Sequence, residues 1–148
     1  MAIGLSLKKK DIKEFKEKLE KYVEEKNIED LKPEILIDTV ITSENTSINE
    51  IDEIKKLEPF GEGNGMPIIL YKNLKIVAIR TLSEGKHLKL MLADGNTYID
   101  AIGFNMGEYA NKYQIGDKID VVGNITVNRF KDLENIQVVL KDLRVSVE

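Results

Sequence analysis

The 148-residue sequence contains no cysteine. That excludes disulfides, thiolate zinc sites and cysteine nucleophiles together, and it fits an intracellular, cytoplasmic protein. There is a single histidine, and the acidic residues are dispersed, so no set of donors for a catalytic metal stands out. Aromatic residues make up only 6%, so any surface that stacks nucleobases is small. No apolar run approaches the ~20 residues that span a bilayer. Residues 1–10 lack the apolar stretch of a secretory signal, and no membrane partner is expected. An excess of positive charge is missing too. The formal net charge is −4, whereas a nucleic-acid binder usually announces itself with a basic balance.

What is present is ordinary for a soluble globular protein: 42% hydrophobic and 32% charged residues, enough for one domain or two small ones. The acidity is uneven. Residues 1–60 hold 11 Lys against 15 Asp and Glu, while residues 61–148 hold 11 Lys and Arg against 11 Asp and Glu. The second part is therefore neutral, and charge balance alone gives no support for a polyanionic ligand there.

Two hydrophobic periods divide the chain. Over residues 11–26, Ile12, Phe15, Leu19, Tyr22 and Val23 recur at helical spacing among Lys and Glu, predicting an amphipathic helix whose stripe is core. Asn27 is its stop. After Pro33, residues 34–41 form a β-branched stretch that reads as a strand. Ser47 and Glu50 make an S-x-x-E capping box, opening a second helix with the apolar stripe Ile48, Ile51, Ile54 and Leu57, of which Ile48, Ile51 and Ile54 are read as core, with Pro59 ending it. Residues 59–67 contain three glycines and two prolines and predict a structured turn at a domain boundary, with some of its glycines at positive φ.

Beyond the turn the pattern is strand-like. Residues 68–82 read as one bent strand, or a strand broken at Lys72-Asn73. Over residues 87–93, Leu88, Leu90 and Leu92 alternate with His87, Lys89 and Met91. Asp94-Gly95 predicts a hairpin turn, with residues 97–104 as the returning strand. Residues 105–113 read as a short helix, Gly116-Asp117 as a turn, and residues 118–127 as a strand. Residues 130–134 read as a loop and residues 135–145 as the last strand. The order β-β-β-α-β-β is that of the OB-fold, a five-stranded barrel. The fold class is thus α+β, a small α/β piece over residues 1–58 followed, after the turn at 59–67, by an OB barrel over 68–148.

Several of these segments resemble one family. Leu57-Glu58-Pro59-Phe60-Gly61-Glu62-Gly63-Asn64 is similar to the segment that joins the DHHA1 domain of RecJ-type single-stranded-DNA exonucleases to their OB domain. Gly85-Lys86-His87-Leu88-Lys89-Leu90 resembles the family's GxxHLKL hairpin strand, and Asp100-Ala101-Ile102-Gly103-Phe104 its DAIxF strand. Asp120-Val121-Val122-Gly123, Asn128, Gln137 and Asp142-Leu143-Arg144 resemble its last two strands. Ile3-Gly4-Leu5-Ser6-Leu7 resembles the end of the DHHA1 motif. The sequence departs from the family at Gly65, where Pro is common, and at Asp132-Leu133, where Gly often follows the aromatic. The resemblance implies that residues 1–58 are the C-terminal remnant of a DHHA1-like domain. The DHH phosphoesterase domain with its divalent metal (Mn or Mg) and the GGH part of DHHA1 are not among these residues, so the chain reads as an excised piece or a naturally truncated gene. It also implies a parent enzyme that degrades single-stranded DNA 5′→3′ in recombination and repair. Its partners would be single-stranded DNA, the remaining RecJ domains and single-stranded-DNA-binding protein.

Within the chain itself the chemistry expected is binding. Phosphates call for cations and bases for flat side chains. Arg80, Lys86, His87 and Lys89 gather at the first hairpin, in the strands and loops that form the OB ligand face. They either contact DNA or form an ordinary solvent face. Tyr98 either stacks a base or covers the barrel. Asn128, Arg129, Phe130 and Lys131, read as the last loop, are a second candidate contact. Phe60, Gly61, Gly63 and Asn64 are read as setting the angle between domains, with Asn64 bonding the turn backbone. No residue is assigned as catalytic or metal-binding. Asp52-Glu53 and Glu24-Glu25 read as solvated helix charge, and Gly61-x-Gly63 lacks the strand and helix of a dinucleotide loop. A rival class is a protein-interaction or domain-bracing module with little DNA affinity of its own.

Overall fold

The computed structural model describes residues 4–26, 34–42, 46–131 and 133–147. The chain forms two compact units, Met1–Ile35 and Leu36–Glu148. In the first, a 3-10 turn at Lys9–Asp11 leads into helix α1, Ile12–Glu25. Three i,i+4 pairs, Lys13–Glu17, Glu14–Lys18 and Lys21–Glu25, line its surface, where solvent screening leaves each with little effect on stability. The predicted core stripe is not core within this unit. Ile12, Leu19 and Tyr22 are exposed, and Phe15 and Val23 are half-buried. An amphipathic helix buries its stripe only against a second apolar face, and the described residues of this unit supply none. Asn27 and Pro33 lie outside the described residues.

The second unit is a closed barrel. Its strands are β1 Thr39–Ile41, β2 Ile69–Leu82, β3 His87–Asp94, β4 Thr97–Gly103, β5 Lys118–Phe130 and β6 Leu133–Val145, with helix α2, Ile48–Ile54, between β1 and β2. The sheet order is β1-β2-β3-β4-β6-β5, and β2 also pairs with β5. The five strands β2 to β6 thus close on themselves, with β4 and β6 parallel and β1 added parallel to the start of β2. This is the OB architecture read from the element order.

The expected strand at 34–41 shortens to Thr39–Ile41, because only those residues find β2 as a partner. The short helix expected at 105–113 is a 3-10 turn, Gly107–Asn111. The strand-break alternative at Lys72-Asn73 resolves as one strand with an irregular register between Tyr71 and Leu74, where Asn73 takes φ 57°.

Alternation fills the interior. Leu88, Leu90 and Leu92 from β3, Ile99 and Ala101 from β4, Ile119 and Val121 from β5 and Val138 from β6 are all 1% exposed or less. Tyr71 is fully buried, and its hydroxyl donates to Thr46 Oγ1 at 3.1 Å. Thr46 in turn donates to the Thr42 carbonyl. This chain of bonds and the buried Ile51 seat α2 against the barrel, so residues 36–58, expected with the first region, pack with the second unit.

The capping box forms as read: Glu50 N–H donates to Ser47 Oγ at 3.2 Å and Ser47 N–H to the Glu50 carboxylate at 2.8 Å. The Ser47 backbone N–H, then its hydroxyl, hold the Glu50 carboxyl below the usual range. Ser47→Ala is therefore expected to cost about 1 kcal/mol, read as a lower urea midpoint with an unchanged slope.

Candidate nucleic-acid interface

Because the leucines of β3 point inward, His87, Lys89 and Met91 point out. Strand register then decides their neighbours. Arg80 of β2 lies opposite Lys89, which lies opposite Ile102 of β4; Ala78, Met91, Asp100 and Gln137 form the adjoining row. Arg80, Lys89, Met91 and Asp100 line a shallow concavity of about 320 Å³. A second one of about 150 Å³ shares Met91 and Asp100 and adds Tyr98, Asn135 and Ile136.

The candidate cations differ in availability. Arg80 and Lys86 are exposed, and among the described residues neither has a carboxylate within ion-pair distance. Lys86 sits in the β2–β3 turn. Its carbonyl accepts from the Gly107 N–H at 3.2 Å, and Gly107 packs so closely that a Cβ there would lie 1.7 Å from the Gly85 carbonyl oxygen. The 3-10 turn therefore seats this loop. Lys89 is different: its ammonium lies 2.8 Å from Asp100, and the two side chains are only 16% and 23% exposed.

His87 is not simply an outward cation. Its Nδ1 accepts the Asn105 N–H at 3.0 Å, leaving the ring proton on Nε2. The ring meets Phe104 edge-on at 5.3 Å. It pins the corner after β4, while Phe104 is 56% exposed. Tyr98 is 63% exposed; the alternative that it covers the barrel is not what the structure shows.

The second candidate group does not lie in a loop. Asn128, Arg129 and Phe130 belong to β5, paired with Asn135, Glu134 and Leu133, so among the described residues the expected loop at 130–134 shrinks to a tip at Lys131, φ 47°. The strands run on because their cross-strand pairs continue to the tip. Arg129 is held between two carboxylates, Asp52 of α2 and Glu134 of β6, the latter at 2.6 Å. The Asp52 bond first, then that to Glu134, raise the guanidinium's pKa. The same Arg129 contact, then Lys55, holds Asp52 below the carboxylate range. Arg129 thus braces the β5–β6 arm on α2. Asn128 and Lys131 are exposed; the Phe130 side chain and Asp132 lie outside the described residues.

The turn at 59–67 is organised by Asn64, whose amide donates to the carbonyls of Leu57 at 2.8 Å and Pro59 at 3.0 Å. Gly61 and Asn64 bridge each other, and Gly63, alone of the turn's glycines, has positive φ, at 80°. Phe60 is half-buried. Asn124 of β5 donates to the carbonyls of Met66 and Pro67, fastening the turn to the barrel.

Sequence reasoning missed Asp100 and Asn135 as parts of this face, and it placed Met91 outward without assigning it a part in the site. Alternation along β4 places Asp100 beside Tyr98 on the outer side, but only the β3–β4 register brings it to Lys89. Among the described residues no group of three or more His, Asp or Glu side chains is arranged to hold a metal ion, and no helix is long and apolar enough to cross a membrane.

Comparison with known proteins follows the same lines. The family model for the RecJ OB domain matches residues 37–142. The single-stranded-DNA-specific exonuclease RecJ of Bacillus subtilis (strain 168) is 29% identical over 148 residues, covering 99% of this chain and 19% of the relative. Crystal structures of RecJ from Thermus thermophilus with Mn2+ and with Mg2+ match with TM-scores of 0.66 and 0.65, each at 20% identity. They cover 98% and 97% of this chain and 21% of theirs. The chain thus spans about a fifth of the length of these relatives.

Proposed function

The chain belongs to the RecJ OB domain family, and from that premise we propose that its barrel grips single-stranded DNA along the outer face of β2, β3 and β4. The observation that carries this reading is the exposed Tyr98 in one shallow concavity and Arg80 in the other, the two sharing Met91 and Asp100, with Arg80 a cation that has no carboxylate partner among the described residues. A flat side chain for a base and a cation for a phosphate are the two elements that sequence-independent single-strand binding requires. Lys86, on the neighbouring turn, supplies a second cation.

In this reading the module serves a RecJ-type 5′→3′ single-stranded-DNA exonuclease of recombination and repair. It has no catalytic residues of its own. In this reading the divalent metal chemistry is carried by the DHH domain of a RecJ-type enzyme. The unit Met1–Ile35 is the end of a DHHA1-like domain, while the OB match begins at residue 37. Phe60, Gly61, Gly63 and Asn64 then set the path from α2 into the barrel strands rather than between the two domains. The remaining RecJ domains and single-stranded-DNA-binding protein are the protein partners.

A bracing or partner-docking role is the second reading. The neutral balance of residues 61–148 favours it, as do the carboxylates that neutralise Lys89 and Arg129.

Fluorescence anisotropy with a labelled single-stranded oligonucleotide and its duplex decides between them. The expected result is salt-sensitive binding that prefers the single strand. Arg80→Ala with Lys86→Ala should weaken it roughly ten-fold at low salt and flatten the salt dependence. Tyr98→Ala should weaken it about five-fold or more with little change in salt slope. No binding at low salt would leave the bracing role.

A further inference from the structure

A carboxylate in the middle of a surface meant for a polyanion needs a reason. Asp100 is the one acidic residue lining either concavity, and it lines both. It lies between the exposed Tyr98 and the Lys89 row, on the outer side of β4. Its partner Lys89 is held at 2.8 Å with both side chains largely covered. At that separation and burial the attraction is screened far less than between exposed charges.

The pair has a consequence for charge. With Lys89 neutralised, Arg80 provides the only uncompensated charge among the described residues that line the groove. A phosphate arriving at Lys89 meets Asp100 as well, and the like charges repel. The ammonium has three donor protons, so it can hold Asp100 and still present a proton outward, but the net charge felt by the strand stays near zero. The pairing is also specific to this geometry. Lys89 lies directly opposite Ile102 and Asp100 opposite Met91, so the contact is a diagonal one across the outer face.

We propose that Asp100 is an electrostatic brake on the single-strand site: it competes with DNA phosphates for Lys89 and so keeps the grip weak enough for the strand to move through. This rests on the single-strand reading above and adds to it the residue that sets affinity. A brake in this position suits a module that must let a strand advance rather than trap it.

The test is a charge cycle on the full chain: wild type, Asp100→Asn, Lys89→Gln and the double variant, measured by anisotropy with single-stranded oligonucleotide across a salt series. Asn keeps the size of Asp100 and an oxygen for Lys89, and thermal unfolding verifies that each variant is folded. Asp100→Asn is expected to bind roughly five-fold tighter at low salt, with the log–log salt slope steeper by about 0.7. Lys89→Gln is expected to bind more weakly than wild type, and the double variant to return close to it, because its net charge equals that of the intact pair. If wild type binds and Asp100→Asn binds no tighter, the brake is wrong while the single-strand reading stands. A double variant as tight as Asp100→Asn also overturns the brake, since the released cation is then not Lys89. If neither wild type nor Asp100→Asn binds at low salt, the single-strand reading itself fails and takes the brake with it.

Discussion

Gly123→Ala is expected to destabilise the barrel by about 3 kcal/mol, a large fraction of the stability of a domain this size. Gly123 sits in β5 at a register irregularity, where Val122 pairs with Asp142 and Gly123 with Leu140. A Cβ built there would lie 2.2 Å from the Val139 carbonyl oxygen and 3.0 Å from Val138 Cγ1. The first neighbour is backbone of the adjacent strand and cannot swing away as a side chain tip can. Relief therefore has to come from separating β5 and β6, and Val138 of that strand is fully buried in the core. Gly65→Ala is the matched control. Nothing lies within 4 Å of a Cβ at Gly65, so its cost should stay within about 0.5 kcal/mol. Urea unfolding of the two variants measures the difference, and equal midpoints would refute the packing argument.

The second large effect is expected at Asp120. Its carboxylate is 4% exposed and accepts from the Ser146 hydroxyl at 2.7 Å, the Asn73 N–H at 3.1 Å and Arg144 Nε at 3.2 Å. It ties the irregular turn of β2 to β5 and to the end of β6. Burial works against its charge, but these donors outweigh burial and hold the carboxyl below its ordinary value. Asp120→Asn turns an amide toward groups that are themselves donors, so at neutral pH it should cost about 2 to 3 kcal/mol. The pH dependence has a definite sign. A depressed folded pKa means that the carboxylate's contribution is complete above its unfolded value of 3.8 and is lost as pH falls through the lower folded value. Wild-type stability should therefore drop faster than that of Asp120→Asn on acidification, and the gap between them should close. A gap that stays constant down to about pH 3 would mean that the hydrogen bonds do not depend on the charge.

How far each feature could be read from the chain follows from the range of the interactions involved. The period-2 alternation of Leu88, Leu90 and Leu92 and the capping box of Ser47 and Glu50 are local patterns that form as written; the helical stripe holds at Ile51 but ends before Leu57, which is 54% exposed in the 3-10 turn after α2. The Asp94-Gly95 hairpin is local as well, with Gly95 at φ 57°. The segments whose structure departs from their sequence pattern lack a local signal. Residues 34–38 have strand composition but find no partner strand among the described residues, and residues 128–130 look like loop because nothing in them announces that Asn135, Glu134 and Leu133 continue the ladder.

The candidate face divides in the same way. Arg80, Lys86 and Tyr98 were legible as candidates because residue type and strand phase suffice to place them outward. What Lys89, His87 and Arg129 do was not legible, because each is decided by a group distant in sequence: Asp100 for Lys89, the Asn105 N–H for His87, and Asp52 and Glu134 for Arg129. By itself, then, the sequence determined the OB element order, the core faces of its strands and the absence of cysteine chemistry, all of which depend on neighbours a few residues apart. Only the tertiary structure decided which cations remain available, since ion pairing depends on separations of a few ångströms between strands and helices that register and closure of the barrel alone bring together.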